Sequence, residues 1–357
     1  MIYQVEPDID RIDQEFINKY MKSGGWITEG KVTKEFENSI SQLVNRKYAV
    51  ATPNGTIAIY LALLANGIGK GSLVAVPNIT MIATINAVTW SGATPVLVDV
   101  DEKLCMSLEK LEKLKNIDCV IYVPLNGRTS NGEDILKYTK KNKIVLIEDS
   151  AHALGSNYKN LACGSLGSTS IISFTPHKII TTGQGGMVLT NNQNIYKKAL
   201  DLKTFNRSRD KSDVHKGFGL NFKITDLQST LGMSQLKKLD RYIEHKKKLF
   251  FTYSNFEKNN KFYFIDFQNR ETPWFIDIVF KTKKIRNSVY SYLKTKNIET
   301  RFSYPPLNSQ KMFSNIERTD LKNSEDIANR ILWLPSSNNL QLNTAKSVMK
   351  IISEYLK

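Results

Sequence analysis

Between residues 48 and 150, short apolar runs alternate with helix-like stretches. YAVAT leads into TIAIYLALLANGI, LVAVP into MIATINAVTWSG, and TPVLVDV into SLEKLEKLK. CVIYVPL then leads into EDILKYTKKN, and KIVLIEDS follows. Strands that return through helices pair in parallel, so this alternation demands a mostly parallel sheet with helices on both faces. Several runs are apolar at every position, as strands covered on both sides should be. The expected fold class is α/β.

SIISF and GGMVLTN read as two further strands, with a lysine-bearing turn between them. From Ile224 the pattern turns helical, and TDLQSTLGMSQLKKLDRYIEHKKKLFFTYSNF reads as one long helix with apolar residues three and four apart. WFIDIVF and ETRFSYPP then look like strands, and SVYSYLKTKN and TAKSVMKIISEYL like helices. A chain of 357 residues is long enough for two cores. The expected division is a large domain over 1–245, including the N-terminal segment, and a smaller α+β domain over 246–357.

Net charge is +16, which raises the question of nucleic acid or anionic ligands. The basic residues are spread out, and runs such as KKLDRYIEHKKK read as a solvated helix face. No arginine-rich arm or zinc-finger spacing supports nucleic acid. A general field attracting phosphorylated substrates fits better. The three cysteines, Cys105, Cys119 and Cys163, form no CxxC or Cys/His cluster, so neither a disulfide framework nor a metal site is expected. No apolar run is long enough for a bilayer, and MIYQVEPDID does not read as a secretory signal. No membrane association is expected, and the expected location is cytoplasmic.

The chemistry concentrates in SFTPHKIITTGQGG, where Lys178 stands between apolar or small residues and a glycine-rich turn follows. A lysine in such surroundings is costly unless something needs it. Upstream, IEDSAHALG puts Glu148 and Asp149 at the end of an apolar strand. Ligands of open α/β sheets bind outside the carboxyl ends of strands. In TPNGTIAI, Asn54, Gly55 and Thr56 stand where a strand becomes a helix, and free N–H groups there bind phosphate. A reactive lysine, a strand-end acid and a phosphate-binding helix start are what pyridoxal 5′-phosphate requires. The lysine forms a Schiff base with the aldehyde, and the acid pairs with the pyridine nitrogen.

These stretches, with SGGWITEGKVTKEFE, VPNITMIATINAV, GATPVLVDVD and GLNFKITDLQSTLGMSQLKKLD, resemble the DegT/DnrJ/StrS nucleotide-sugar aminotransferases. Those belong to the fold type I pyridoxal-phosphate enzymes. The resemblance implies that Lys178 is the Schiff-base lysine and Asp149 the pyridine-nitrogen partner. It implies phosphate contacts from Gly55, Thr56 and Ser173, and His152 near the ring. Asn221 resembles the asparagine that reaches a neighbouring subunit's cofactor, so a homodimer with shared sites is implied.

IETRFSYPPL resembles a segment of perosamine-synthase-type C4 aminotransferases, making Arg301 and Tyr304 candidate substrate contacts. The implied reaction moves an amine from L-glutamate to C4 of a nucleotide-linked 4-keto-6-deoxy sugar, for polysaccharide or glycan biosynthesis. A C3 aminotransferase and a 3-dehydratase of the same fold are the alternatives. The dehydratases carry histidine at the lysine position, whereas here His177 falls one place early. Met81 stands where many relatives have an aromatic ring over the cofactor, and Gln184 replaces a usual glutamate. PLNGR departs from the family pattern, so Pro124 and Asn126 are expected to reshape the substrate pocket, while Trp274 is expected in the core.

Overall fold

The computed structural model describes residues 1–208, 210, 213–256 and 260–357. Seven strands form the larger sheet: β1 (Tyr48–Thr52), β2 (Leu73–Pro77), β3 (Thr94–Val98), β4 (Cys119–Tyr122), β5 (Val145–Asp149), β6 (Thr169–Ser173) and β7 (Gly186–Thr190). Their order is β1-β7-β6-β5-β4-β2-β3. The pairs from β6 to β3 are parallel, and β7 alone runs against both neighbours, β1 and β6. The fold is α/β, as the alternation demands. Every residue of β4, β6 and β7 is buried, as expected of strands covered on both faces.

The second sheet has four strands, β8 (Phe262–Phe264), β9 (Ile276–Phe280), β10 (Arg301–Phe302) and β11 (Ile331–Leu334), in the order β10-β11-β9-β8. All its pairs are antiparallel. The helices Lys283–Thr295 and Leu342–Leu356 contribute Val289, Val348 and Ile352 to its core.

The stretch expected as one long helix is two, Asp226–Leu236 and Leu239–Ser254, interrupted at Lys237 and Lys238. The second helix feeds both cores. Tyr242 packs with the larger sheet, and Leu249 and Tyr253 with the smaller one. The border proposed between residues 245 and 246 falls within this helix. The KKLDRYIEHKKK run is also not all solvated face, since Lys246 is buried within it.

Candidate active site

The carboxyl ends of β1, β5 and β6 and the start of β7 share one edge of the sheet. Gly186 pairs with Thr52 on one side and Ser173 on the other. Glycine is needed there, because a Cβ on Gly186 would stand 2.4 Å from the Asn54 carbonyl oxygen. The helix Gly55–Ala65 begins at this edge, and the Asn54 side chain caps it by accepting from the Ile57 N–H at 3.0 Å. The first N–H groups of a helix lack intrahelical partners, which leaves those of Gly55 and Thr56 facing the strand edge.

A cavity of about 290 Å³ opens there. It brings together Gly55, Thr56, Met81, Asp149, His152, Ser173 and Lys178 from four separate stretches of chain. Asp149 ends β5. Its Oδ2 accepts from the Thr84 hydroxyl at 2.8 Å and its Oδ1 from the Ala151 N–H at 3.2 Å. The neighbouring Glu148 turns to structural work, accepting from the Tyr158 hydroxyl at 2.9 Å and the Leu166 N–H at 2.8 Å.

Burial pushes the Asp149 carboxyl above its ordinary range, against the pull of Thr84, the Ala151 N–H and the Lys178 charge. Burial pushes the Lys178 amine below its ordinary range, Asp149 opposes this, and Arg301 adds to it. Desolvation thus drives both groups toward their neutral forms, while their mutual attraction favours the charged pair. His152 is held well below its usual range by burial and by Lys178, so its ring is neutral near pH 7. Its Nδ1 is buried without a hydrogen-bond partner among the described residues.

Trp274, just before β9, packs against two of the cavity's residues, His152 and Lys178. It is 3% exposed, as a core residue should be, but its ring also lies 4.0 Å from the Lys178 Nζ. It stacks on His152 with centroids 3.9 Å apart. Tyr304 stacks beyond His152 at 5.9 Å, with its hydroxyl 3.5 Å from His152 Nε2. Arg301 is exposed on β10, close enough to act on the charge state of Lys178. Asn221 is exposed and lies outside the cavity lining. Met81 is 41% exposed at the rim, its sulfur accepting from the Ala83 N–H at 3.0 Å.

Of the PLNGR turn, neither Pro124 nor Asn126 lines this cavity. Asn126 is fully buried away from the cavity, donating from Nδ2 to Asp277 Oδ1 at 2.8 Å. Arg128 meets the other Asp277 oxygen at 2.5 Å, and Trp333 Nε1 donates to Oδ1 at 2.7 Å. A Cβ on Gly127, at φ +96°, would stand 2.0 Å from the Thr272 carbonyl oxygen. The turn therefore joins the two sheets. The Gln184 carbonyl, in turn, is pinned by the Thr182 hydroxyl and the Gln228 amide, each at 2.7 Å.

Thr84 and Trp274 are the site residues that the sequence reading missed. Thr84 carried one signal, a hydroxyl in the first turn of a helix beginning at the same sheet edge. Trp274 carried none, because its contact to the lysine turn spans 97 residues.

The donor set fits pyridoxal 5′-phosphate. Free helix-start N–H groups and a serine hydroxyl crowd one side of the cavity, held open by Gly186. A lysine and a strand-end carboxylate occupy the rest, with the unpartnered His152 Nδ1 beside them.

The comparisons with known proteins point the same way. GDP-perosamine synthase of Escherichia coli O157:H7 is 32% identical over 362 residues, covering 99% of this chain and 98% of that protein. The solved structure of Helicobacter pylori PseC, an aminotransferase involved in the biosynthesis of pseudoaminic acid, superposes with a TM-score of 0.92. It is 24% identical, covers 99% of this chain and 98% of its own, and shows the fold alone. The same holds for the E. coli GDP-4-keto-6-deoxy-D-mannose-3-dehydratase, at TM-score 0.90 and 20% identity, with 99% of each chain covered. A family model matches residues 7–353, and the chain belongs to the DegT/DnrJ/EryC1/StrS aminotransferase family.

Proposed function

We propose that this enzyme transfers an amino group from L-glutamate to C4 of a nucleotide-linked 4-keto-6-deoxy sugar. Family membership makes it a pyridoxal-phosphate-dependent sugar aminotransferase. The observation that carries the finer reading is the near full-length likeness to GDP-perosamine synthase, which favours a GDP-linked sugar and an amine placed as in perosamine. The net charge of +16 suits a substrate bearing a diphosphate.

Bound pyridoxal phosphate supplies the carbonyl that carries the amine and the electron sink that stabilises the substrate carbanion. The chain's own residues do the rest. Gly55 and Thr56 N–H groups and the Ser173 hydroxyl would hold the phosphate, as a helix start holds an anion. Asp149, oriented by Thr84, would hold a proton on the ring nitrogen. His152 and Met81 would meet the ring. Lys178, with its amine pushed toward the free base, would take the proton from the donor's Cα and deliver it to the cofactor carbon that keeps the amine, as a general base poised near neutrality should.

A homodimer fits this reading. Asn221 is exposed and outside its own cavity, and Trp26, Trp90 and Phe218 are 81%, 54% and 65% exposed. Apolar surface of that kind suits a second copy. Among the described residues no helix is long and apolar enough to cross a membrane, and the cytoplasm is the location proposed.

A 3-dehydratase is the second reading, since such an enzyme shares the fold. Lys178 argues against it, because His177 has an exposed side chain and stands one residue away. The test is a glutamate-dependent assay against GDP-, UDP- and dTDP-linked 4-keto-6-deoxy sugars, with product mass and linkage determined. A 4-amino product from the wild type, absent with Lys178→Ala, is expected. Turnover undiminished in Lys178→Ala, or a deoxygenated product without nitrogen, overturns the reading.

A further inference from the structure

We propose that Trp274 is a positioning residue for Lys178, anchoring the lysine-bearing turn through its indole N–H and holding the ammonium against its ring face. This rests on the reading of Lys178 as the reacting lysine. Three contacts carry it. The indole Nε1–H donates to the His177 carbonyl at 2.6 Å, one residue before the lysine. The ring lies 4.0 Å from Lys178 Nζ, within cation–π range. The ring plane is fixed on its own account, by stacking on His152 at 3.9 Å and by the Trp274 N–H donating to the Asn126 carbonyl at 2.9 Å.

The consequence is that the smaller sheet takes part in setting the lysine. Asn126 is tied to Asp277 on β9, so the strand that follows Trp274 and the turn that holds its backbone share one buried carboxylate. A ring that only filled space would not need a hydrogen bond to the lysine's own turn. Several groups face Lys178: Asp149 at the end of β5, His152 just after it, His177 beside the lysine, and Arg301 of β10. Of these only Asp149 favours the ammonium electrostatically, whereas Arg301 opposes it. The indole face is therefore the second group that stabilises the charged form.

The test uses full-length protein freed of cofactor, labelled at trace level with acetic anhydride over a range of pH, with Lys178 read by peptide mass. Trp274→Leu removes the ring and should lower the Lys178 labelling midpoint by about one pH unit. Trp274→Phe keeps a ring, so its midpoint should stay, while kcat of the cofactor-loaded enzyme falls about fivefold at unchanged KM for want of the N–H anchor. Trp274→Met serves the same comparison should the leucine variant not fold. A midpoint unchanged or raised in the apolar variants, an equal shift in Trp274→Phe, or an unchanged kcat in Trp274→Phe overturns the proposal. The labelling needs no turnover. A wild type that labels as expected yet transfers no amine would instead overturn the proposed function.

Discussion

The Thr84 hydroxyl donates to Asp149 Oδ2 at 2.8 Å, inside the protein and 65 residues away along the chain. With the Ala151 N–H on the other oxygen, it fixes the carboxylate at the mouth of β5. Both bonds favour the ionised acid, against a burial that favours the neutral one. The acid can hold a proton on a cofactor nitrogen only if it stays ionised and aimed. Thr84 serves both requirements.

Thr84→Val should therefore weaken cofactor retention by about tenfold, the scale of a hydrogen bond to a charged group. Thr84→Ser should restore most of it. Dialysis against falling cofactor concentration, followed by absorbance, checks this. Equal retention in the valine variant would show that the hydroxyl is incidental.

Gly186→Ala tests the phosphate cradle. The new methyl would meet the Asn54 carbonyl at 2.4 Å, within a rigid turn rather than against a flexible side chain. Asn54 would have to move, and the helix start at Gly55 with it. Cofactor affinity should fall by more than tenfold while thermal stability falls less steeply, because the strain is local to one sheet edge. A variant that binds cofactor normally would place the phosphate elsewhere.

The sheet was legible because most of its strands are buried on both faces and carry apolar runs between helix-like stretches. Lys178 and Asp149 were legible because a lysine in apolar surroundings and an acid at a strand end are locally anomalous. Thr84, Trp274 and Asn126 were not, since each is defined by a partner 65 to 151 residues distant. Asn126 is the most distant case. It lies in a stretch near the pocket in sequence pattern, yet its side chain serves the joint between the sheets. The helix break at Lys237 and Lys238 was hidden for another reason: apolar spacing continues through it, and neither glycine nor proline marks it.

That joint is itself open to test. Arg128 and Asp277 are 1% and 0% exposed, and Asn126 and Trp333 also donate to the carboxylate. Removing one partner of such a pair strands the other charge in a medium that cannot solvate it. Arg128→Met should cost about 3–5 kcal/mol in urea unfolding. Arg128→Lys should recover only part of it, because a point charge cannot reach Asp277 and the Ile265 carbonyl at once as the guanidinium does. Full recovery with lysine would mean that charge alone matters there.

Lys246 gives the clearest dependence on pH. Its side chain is buried, its Nζ donates to the Ser336 carbonyl, and no carboxylate pairs with it among the described residues. Burial pushes its amine down to about 7, from 10.5 in an exposed lysine. Below about 7 the folded and unfolded chains both hold the proton, and the folded form bears the full cost of a buried charge. Between about 7 and 10.5 the unfolded chain binds a proton that the folded chain does not, so stability rises with pH across that window. Lys246→Met removes this contribution at every pH and leaves the Ser336 carbonyl unpaired at every pH. The variant should thus gain most relative to wild type near neutrality, and the gain should shrink as pH approaches 10.5. Urea unfolding of both proteins at several pH values reads the difference directly. A difference that stays constant across the window would mean that Lys246 is not the group titrating there.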